Sequence, residues 1–173
     1  MSNLITRPGR AGLLRTDHIR RYALQCSLAT AVVLILLVAL DAVTQTVLIA
    51  ALGASSFIAF AVPRSLVSSP RCIIGGYLVG ISVGVLMSTL NRAFDFPDVV
   101  LTHVSLIGFA ALATGLAMFL MVVTRTEHPP AAALALGLVL NEWSPLTLLV
   151  VISGVVGLSI CKRLVLPILM DLL

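Results

Sequence analysis

Charged side chains are scarce in this sequence. Asp, Glu, Lys and Arg make up only 10% of its 173 residues, whereas 60% are hydrophobic and the mean hydropathy is +1.14. Soluble domains typically carry about 25% charged residues. Because too few polar side chains remain to cover a water-facing surface, we expect the surface of the protein to contact the lipid bilayer.

Cysteine and histidine are also sparse. The three cysteines are isolated from one another, and the three histidines show no spacing typical of metal ligands. The sequence contains no Walker A, H-E-x-x-H, G-x-S-x-G or haem-attachment motif. We therefore expect no disulfide framework, no metal ion, no cofactor and no catalytic residues. We predict that the protein is not an enzyme, since no pair of nucleophile and base can be assembled.

The positive charge is concentrated at the beginning of the chain. Five of the eleven basic residues lie within residues 1–21, just before the first apolar run. This is the pattern of a cytoplasmic flank, so the net charge of +4 does not require a nucleic-acid partner. A cleaved signal peptide is the alternative, but the run 22–40 is long and no A-x-A-like cleavage site follows it. We predict a basic cytoplasmic segment 1–21 and a single transmembrane domain 22–173, in a bacterial inner (plasma) membrane.

Apolar runs predict an all-α membrane protein. A helix that crosses a membrane needs about 20 apolar residues. Four runs meet this condition: about 22–40, 72–90, 99–121 and 145–161. Two further runs are unusual, because 42–62 contains Gly53-Ala54-Ser55-Ser56, and 131–140 is only about 15 Å long as a helix. We predict six crossings, with elements two and five interrupted by short half-helices that start near Ser55 and Pro130.

The two halves of the chain share a pattern. With an offset of 75, Gly53-Ala54-Ser55-Ser56 aligns with the segment starting at His128, and Ser69-Pro70 aligns with Ser144-Pro145. This predicts two repeats: about 22–90 and about 99–163. Because each repeat crosses three times, the second is expected to be inverted relative to the first, as in many transporters.

The charges agree with this topology. With both termini in the cytoplasm, nine of the eleven basic residues lie inside, including Arg64, Arg71, Lys162 and Arg163. The outer loops receive four acidic residues and one basic residue: Asp41, Asp95, Asp98, Glu142 and Arg92.

Glycines predict close helix packing. Gly76, Gly80 and Gly84 form a G-x-x-x-G-x-x-x-G ridge, which lets helix backbones approach each other. We expect this ridge to pack within the chain rather than at a dimer interface. A homodimer remains an open expectation, by analogy with other transporters of two three-crossing units.

The segment His128-Pro129-Pro130 is the main candidate for a binding site. Residues before proline are pushed out of the α region, so a helix is expected to begin at Pro130. Its first N–H groups, on Ala131, Ala132 and Ala133, would lack partners and favour an anion. In the first repeat, Gly53 would break the chain, and Ser55 or Ser56 would begin the second half-helix.

Two inverted half-helices would face each other across the membrane midplane, where their positive ends favour a small anion. Arg125 could neutralise that anion, Glu127 could pair with Arg125, and His128 could donate or carry a proton. The alternative is that the fourth helix runs over 99–124 and that 125–130 is a cytoplasmic turn. The predicted substrate-binding residues are the following: Arg125, Glu127, His128, Pro129, Pro130, Ala131, Ala132, Gly53, Ala54, Ser55 and Ser56.

These segments, with Pro70-Arg71-x-x-x-Gly75-Gly76, resemble the HPP family of integral membrane proteins over roughly residues 20–163. Members in plant chloroplasts and cyanobacteria are associated with nitrite transport, so the resemblance implies this activity. The sequence departs from the family at four positions: Ala131 and Ala132 replace glycines, and Cys72 and Tyr77 stand where Asn and His are frequent.

The leading hypothesis is therefore a transporter or channel for a small monovalent anion, nitrite in the first place. One alternative is transport of another small solute, either an organic acid or a neutral molecule. The other is a membrane structural or assembly subunit that transports nothing.

Overall fold

The computed structural model describes residues 23–32, 35, 46–94 and 98–172, and every regular element in these ranges is helical. The described helices are α1 (Ala23–Val32), α2 (Thr46–Ala61), α3 (Pro70–Ala93), α4 (Val99–Thr124), α5 (Pro129–Leu140) and α6 (Pro145–Val165). Single 3₁₀ turns, Leu66–Ser68 and Leu166–Ile168, precede α3 and follow α6. The predicted all-α fold is confirmed. Outside the described residues lie the predicted segment 1–21, Asp41, Asp95 and part of the first apolar run, mainly its second half.

Three helices are long and apolar enough to cross a membrane. They are α3, α4 and α6 with its following turn: Pro70–Ala93, Val99–Thr124 and Pro145–Ile168. The helix α5 has only 12 residues, or about 18 Å at the usual rise. Six crossings and an inverted repeat therefore remain predictions, whereas the positions of these helices agree with the apolar runs.

One end of the bundle gathers the ends of several helices. Four hydrogen bonds join them: Lys162 to the Ser68 carbonyl, Leu172 N–H to the Ala61 carbonyl, Arg71 to the Thr124 carbonyl and Gln25 to the Phe60 carbonyl. We call this the Lys162 end. It contains the end of α2, the start of α3, the end of α4 and the end of α6.

The opposite end is held by polar contacts around Trp143. The indole Nε1 donates to Ser88 Oγ at 3.1 Å, and the Arg92 guanidinium lies 5.8 Å from the indole ring centre. Ser105 Oγ on α4 donates to Asn91 Oδ1 near the end of α3 at 3.0 Å. We call this the Trp143 end. Helices α2 to α6 thus run alternately toward the Lys162 end and away from it.

The glycine ridge of α3 packs against α5. An added Cβ at Gly76 would lie 2.7 Å from His128 Cβ, and one at Gly80 would lie 2.3 Å from the Ala131 carbonyl oxygen. At Gly84 the nearest atom, Leu138 Cβ, would be 2.9 Å away. Such distances exclude any side chain, so the ridge serves packing within the chain, as predicted.

Two helices begin with the same cap. Ser69 and Ser144 are the N-caps of α3 and α6, and a proline follows each of them. Ser69 Oγ accepts the Cys72 N–H at 3.3 Å, and Ser144 Oγ accepts the Thr147 N–H at 3.2 Å. The aligned Ser-Pro pairs therefore have equivalent structural roles at opposite ends of the bundle.

The predicted interruption of the second element is wrong. The helix α2 continues through Gly53-Ala54-Ser55-Ser56 from Thr46 to Ala61. Ser55 Oγ lies 3.0 Å from the Ala51 carbonyl and Ser56 Oγ donates to the Leu52 carbonyl at 3.0 Å. Serine hydroxyls that bond one turn back remain within a helix instead of capping a new one. No half-helix starts near Ser55.

Candidate functional site

The helix α5 begins one residue earlier than predicted. His128 is its N-cap, with φ −144° and ψ 96°, and Pro129 and Pro130 form its first positions. The two prolines have no N–H group. Ala131 N–H donates to the His128 carbonyl at 2.9 Å, so the first available N–H already has a partner. Because α2 is also uninterrupted, the described residues contain no pair of facing half-helix ends.

Arg125 and Glu127 lie at the surface of the Lys162 end. The helix α4 stops at Thr124, and Arg125 adopts the left-handed conformation with φ 55° and ψ 47°. Its N–H is directed to the carbonyls of Met121 and Val122, which otherwise lack partners at a helix end. Both charged side chains are exposed. The structure therefore agrees with the alternative in which the fourth helix ends at residue 124 and a non-helical segment follows.

The remaining predicted residues divide by position. Pro130, Ala131 and Ala132 are buried against the bundle, whereas Pro129 is exposed. In α2 the buried and exposed residues alternate in pairs: Ser55 and Ser56 are buried, and Gly53 and Ala54 are exposed. Of all the predicted residues, only Ser55 and His128 are joined by a side-chain hydrogen bond.

A buried polar cluster joins three helices. His128 is 1% exposed, and its Nε2 lies 2.8 Å from Ser55 Oγ. The same serine oxygen lies 2.8 Å from the hydroxyl of Tyr77, which is also 1% exposed. The other ring nitrogen, Nδ1, lies 3.0 Å from the Val67 carbonyl oxygen. We call Ser55, Tyr77 and His128 the His128 cluster.

The partners of His128 determine which nitrogen carries a proton. A carbonyl oxygen can only accept, so we assign a proton to Nδ1, which donates to Val67. In the neutral ring, Nε2 then accepts from Ser55, and Tyr77 donates to Ser55. In the protonated ring, Nε2 donates to Ser55, whose hydroxyl turns to the Ala51 carbonyl at 3.0 Å. Rotation of one hydroxyl therefore accommodates either charge state.

The pairing of Ser55 with His128 corrects one expectation. A hydroxyl and an imidazole do lie at hydrogen-bond distance, although the sequence analysis predicted that no nucleophile and base could be assembled. Ser55 is 0% exposed and lies within α2. In the observed conformation this oxygen is therefore enclosed by the bundle, and it contacts Tyr77 and His128.

Two further residues had not been predicted as parts of a site. Tyr77 was noted only as a departure from the HPP family at a position where His is frequent, and Lys162 only as one of the basic residues on the inner side. The structure shows Lys162 4% exposed, with its ammonium group on the Ser68 carbonyl. For Tyr77 the available signal was a phenol in an apolar helix directly after Gly75-Gly76.

Comparisons with known proteins place these features in context. A family model described as "HPP, transmembrane region" matches residues 15–169. A transmembrane protein of Dictyostelium discoideum is 38% identical over 98 residues, which cover 57% of this chain. The chain spans 31% of the length of that relative. No solved structure matches the chain.

Proposed function

Because the chain belongs to the HPP transmembrane family and is an integral membrane protein, we propose that it transports a small monovalent anion, nitrite in the first place. The observation that carries this proposal is the His128 cluster, a set of buried polar groups that joins α2, α3 and the start of α5. An ionisable side chain at membrane depth is energetically costly and usually marks a pathway or a binding site.

The cluster provides suitable groups for a small oxyanion. Three groups that can donate lie together, because His128 Nε2 and the Tyr77 hydroxyl are each 2.8 Å from Ser55 Oγ. In the observed conformation they bond to one another. An anion that enters between them would accept these bonds and gain the charge of the imidazolium. We propose that a small movement of the second repeat, which carries His128, against the first exposes the cluster to one side and then to the other.

The direction of the helices supports a six-crossing topology. In this proposal α5, together with the non-helical residues 126–128, makes the fifth crossing, since it runs from the Lys162 end toward Trp143. The Lys162 end carries Arg64, Arg71 and Arg163, so it faces the cytoplasm under the positive-inside rule. Both termini then lie on the cytoplasmic side.

The test is uptake of nitrite by proteoliposomes, measured above the leak of protein-free liposomes. We expect saturable uptake by the wild type. The His128→Ala variant should take up nitrite at least about tenfold more slowly, because the loss of one acid–base residue commonly lowers a rate by this factor or more. His103→Ala is the matched control, since His103 is exposed on α4. It should retain wild-type uptake.

The outcomes separate the possible functions. If nitrite uptake is saturable but unrelated organic acids abolish it, the natural substrate is a different solute. No flux of nitrite, nitrate or chloride would reject the transport proposal and favour a structural or assembly subunit. Wild-type flux in a folded His128→Ala protein would reject the His128 cluster as the site.

A further inference from the structure

A second buried polar group lies at the Lys162 end. Lys162 is only 4% exposed, although it follows the long apolar part of α6. An ammonium group has three N–H donors. One of them contacts the Ser68 carbonyl, in the turn between α2 and α3. A buried charge is costly unless it is paired and fully hydrogen-bonded, so the remaining donors require acceptors.

Three serine hydroxyls near this ammonium group lack partners. The Oγ atoms of Ser65, Ser68 and Ser159 are buried and have no hydrogen bond within the part of the chain that the structure describes. Ser68 is 0% exposed and Ser159 is 4% exposed. Ser159 precedes Lys162 by one turn of α6, and Ser65 and Ser68 belong to the turn that Lys162 contacts. Native proteins leave few buried polar groups unsatisfied, so their clustering here is informative.

The neighbouring carboxylate does not satisfy this site. Asp171 lies close enough to act electrostatically on Lys162. However, its side chain is exposed, and Oδ1 accepts the Arg64 N–H at 3.1 Å. An exposed carboxylate that is hydrated and bonded elsewhere contributes little to the pairing of a buried cation.

We propose that Lys162 and the hydroxyls of Ser65, Ser68 and Ser159 bind a small inorganic anion at a site separate from the His128 cluster. One positive charge, with hydroxyl donors on the turn that it contacts and one helical turn before it, fits a monovalent oxyanion or a halide. That this anion is the transported substrate rests on the proposed function, whereas binding itself does not.

The turn Ser65–Ser69 connects the two polar sites. Its consecutive carbonyls accept from different groups: Val67 from His128 Nδ1, and Ser68 from Lys162 Nζ. An anion held by the remaining donors of Lys162 and by the hydroxyls of Ser65 and Ser68 would contact this turn directly. Occupancy of the Lys162 site therefore acts on the same turn that orients the His128 ring.

Binding is measured on the detergent-solubilised full chain, as the rise in thermal unfolding temperature with sodium nitrite, nitrate or chloride. Ionic strength is held constant with the salt of a large organic anion. A ligand that binds the folded state raises this temperature by mass action. We expect a saturable rise in the wild type and none in Lys162→Met. Arg163→Met is the matched control, because Arg163 is exposed on the same helix, and it should behave as the wild type.

The serine variants separate binding from structural support. Ser68→Ala and Ser159→Ala remove hydroxyls that bond to nothing described, so they should not lower stability without anion. Each should weaken binding by about tenfold, the effect of one lost hydrogen bond to a charged group. These variants decide the question even if Lys162→Met fails to fold.

Two results would overturn the site: no anion-dependent rise in the wild type, or an equal rise in the serine variants and the wild type. The His128→Ala protein should keep anion binding at the Lys162 site while it loses uptake. Binding without flux would leave this inference intact and reject transport. If nitrite flux depended on His128 but no anion binding depended on Lys162, the transport proposal would stand and the Lys162 site would be rejected.

Discussion

At the scale of single residues, the polar interior depends on the oxygen of Ser55. This atom lies within 3.0 Å of the Ala51 carbonyl, the Tyr77 hydroxyl and His128 Nε2. Neither Tyr77 nor His128 is exposed by more than 1%, so water cannot replace a lost partner without a change in packing. A single hydroxyl therefore satisfies two side chains from two other helices.

Removal of this hydroxyl should destabilise the protein more than removal of its neighbours. Ser55→Ala leaves His128 and Tyr77 without their shared partner. Each unsatisfied group should lower the free energy of unfolding by about 1–3 kcal/mol. Tyr77→Phe keeps Ser55 and His128 paired and should cost only about 1 kcal/mol. Thermal unfolding in detergent measures both. Ser56→Ala is the control, since Ser56 is equally buried but bonds only within its own helix. An equal loss in Ser55→Ala and Ser56→Ala would contradict this role.

The two hydrogen-bonding patterns of His128 predict coupling to protons. If the proton bound to His128 is transported together with the anion, each step carries one positive and one negative charge and is electrically neutral. A pH gradient, acid outside, should then drive nitrite uptake into proteoliposomes, and an imposed potassium diffusion potential should change the rate little. His103→Ala provides the control for a histidine outside the cluster. Uptake driven by the potential and insensitive to the pH gradient would show that His128 carries no proton with the substrate.

At the scale of helices, contact between α3 and α5 sets the position of His128. The glycines of α3 allow the backbone of α5 to approach, and the first of them, Gly76, faces His128 itself. Glycine usually weakens a helix, so three glycines on one face require compensation by close packing. The glycine ridge therefore links a packing feature to the placement of the buried ring.

This contact predicts opposite effects for two similar substitutions. Gly80→Ala places a Cβ 2.3 Å from the Ala131 carbonyl oxygen, a backbone atom that can move only with α5. Overpacking of this kind costs about 1–3 kcal/mol and should lower nitrite uptake as well, because α5 carries His128. Gly108→Ala on α4 meets nothing within 4 Å and should be neutral or stabilise the helix by about 0.5–1 kcal/mol. Both variants are compared by thermal unfolding and by nitrite uptake. A similar loss of stability and uptake in the two variants would contradict the close contact between α3 and α5.

The apolar runs located the helices well but not their interruptions. The runs 72–90, 99–121 and 145–161 correspond to α3, α4 and α6, which extend a few residues further. The interruption at Ser55 was wrong because a serine that caps a new helix and one that bonds back within its helix have the same local sequence. The proline pair at 129–130 permits only one interpretation, and the start of α5 was therefore predicted to within one residue.

At the scale of the whole molecule, the candidate site depends on contacts between distant parts of the chain. Ser55 and His128 are 73 residues apart, and Lys162 and Ser68 are 94 residues apart. The sequence indicated Ser55 and His128 through their local motifs. Tyr77 and Lys162 have no such motif, and their importance appears only when α3 and α6 are packed against the rest. The charge pattern assigned Lys162 only to the cytoplasmic side, and it gave no indication that packing buries the side chain.

The topology of the whole molecule can be tested by the positions of its two ends. Single cysteines are introduced at exposed positions in a background in which Cys26, Cys72 and Cys161 are replaced by serine. An impermeant maleimide is then added to intact cells. Six crossings with cytoplasmic termini predict labelling of Asp98→Cys and Glu142→Cys at the Trp143 end. Arg64→Cys and Arg125→Cys, at the Lys162 end, should react only after the membrane is permeabilised.

The position at Glu142 distinguishes six crossings from fewer. If the short helix α5 returned to the side from which it entered, Glu142→Cys would be protected together with Arg125→Cys, while Asp98→Cys would still be labelled. Labelling of Glu142→Cys from outside requires that α5 and the non-helical residues before it cross the membrane. It would also place the Ser-Pro caps of α3 and α6 on opposite sides, which is the arrangement that an inverted repeat demands. Protection of Glu142→Cys would reject that repeat, and with it the movement of two halves that we propose for transport.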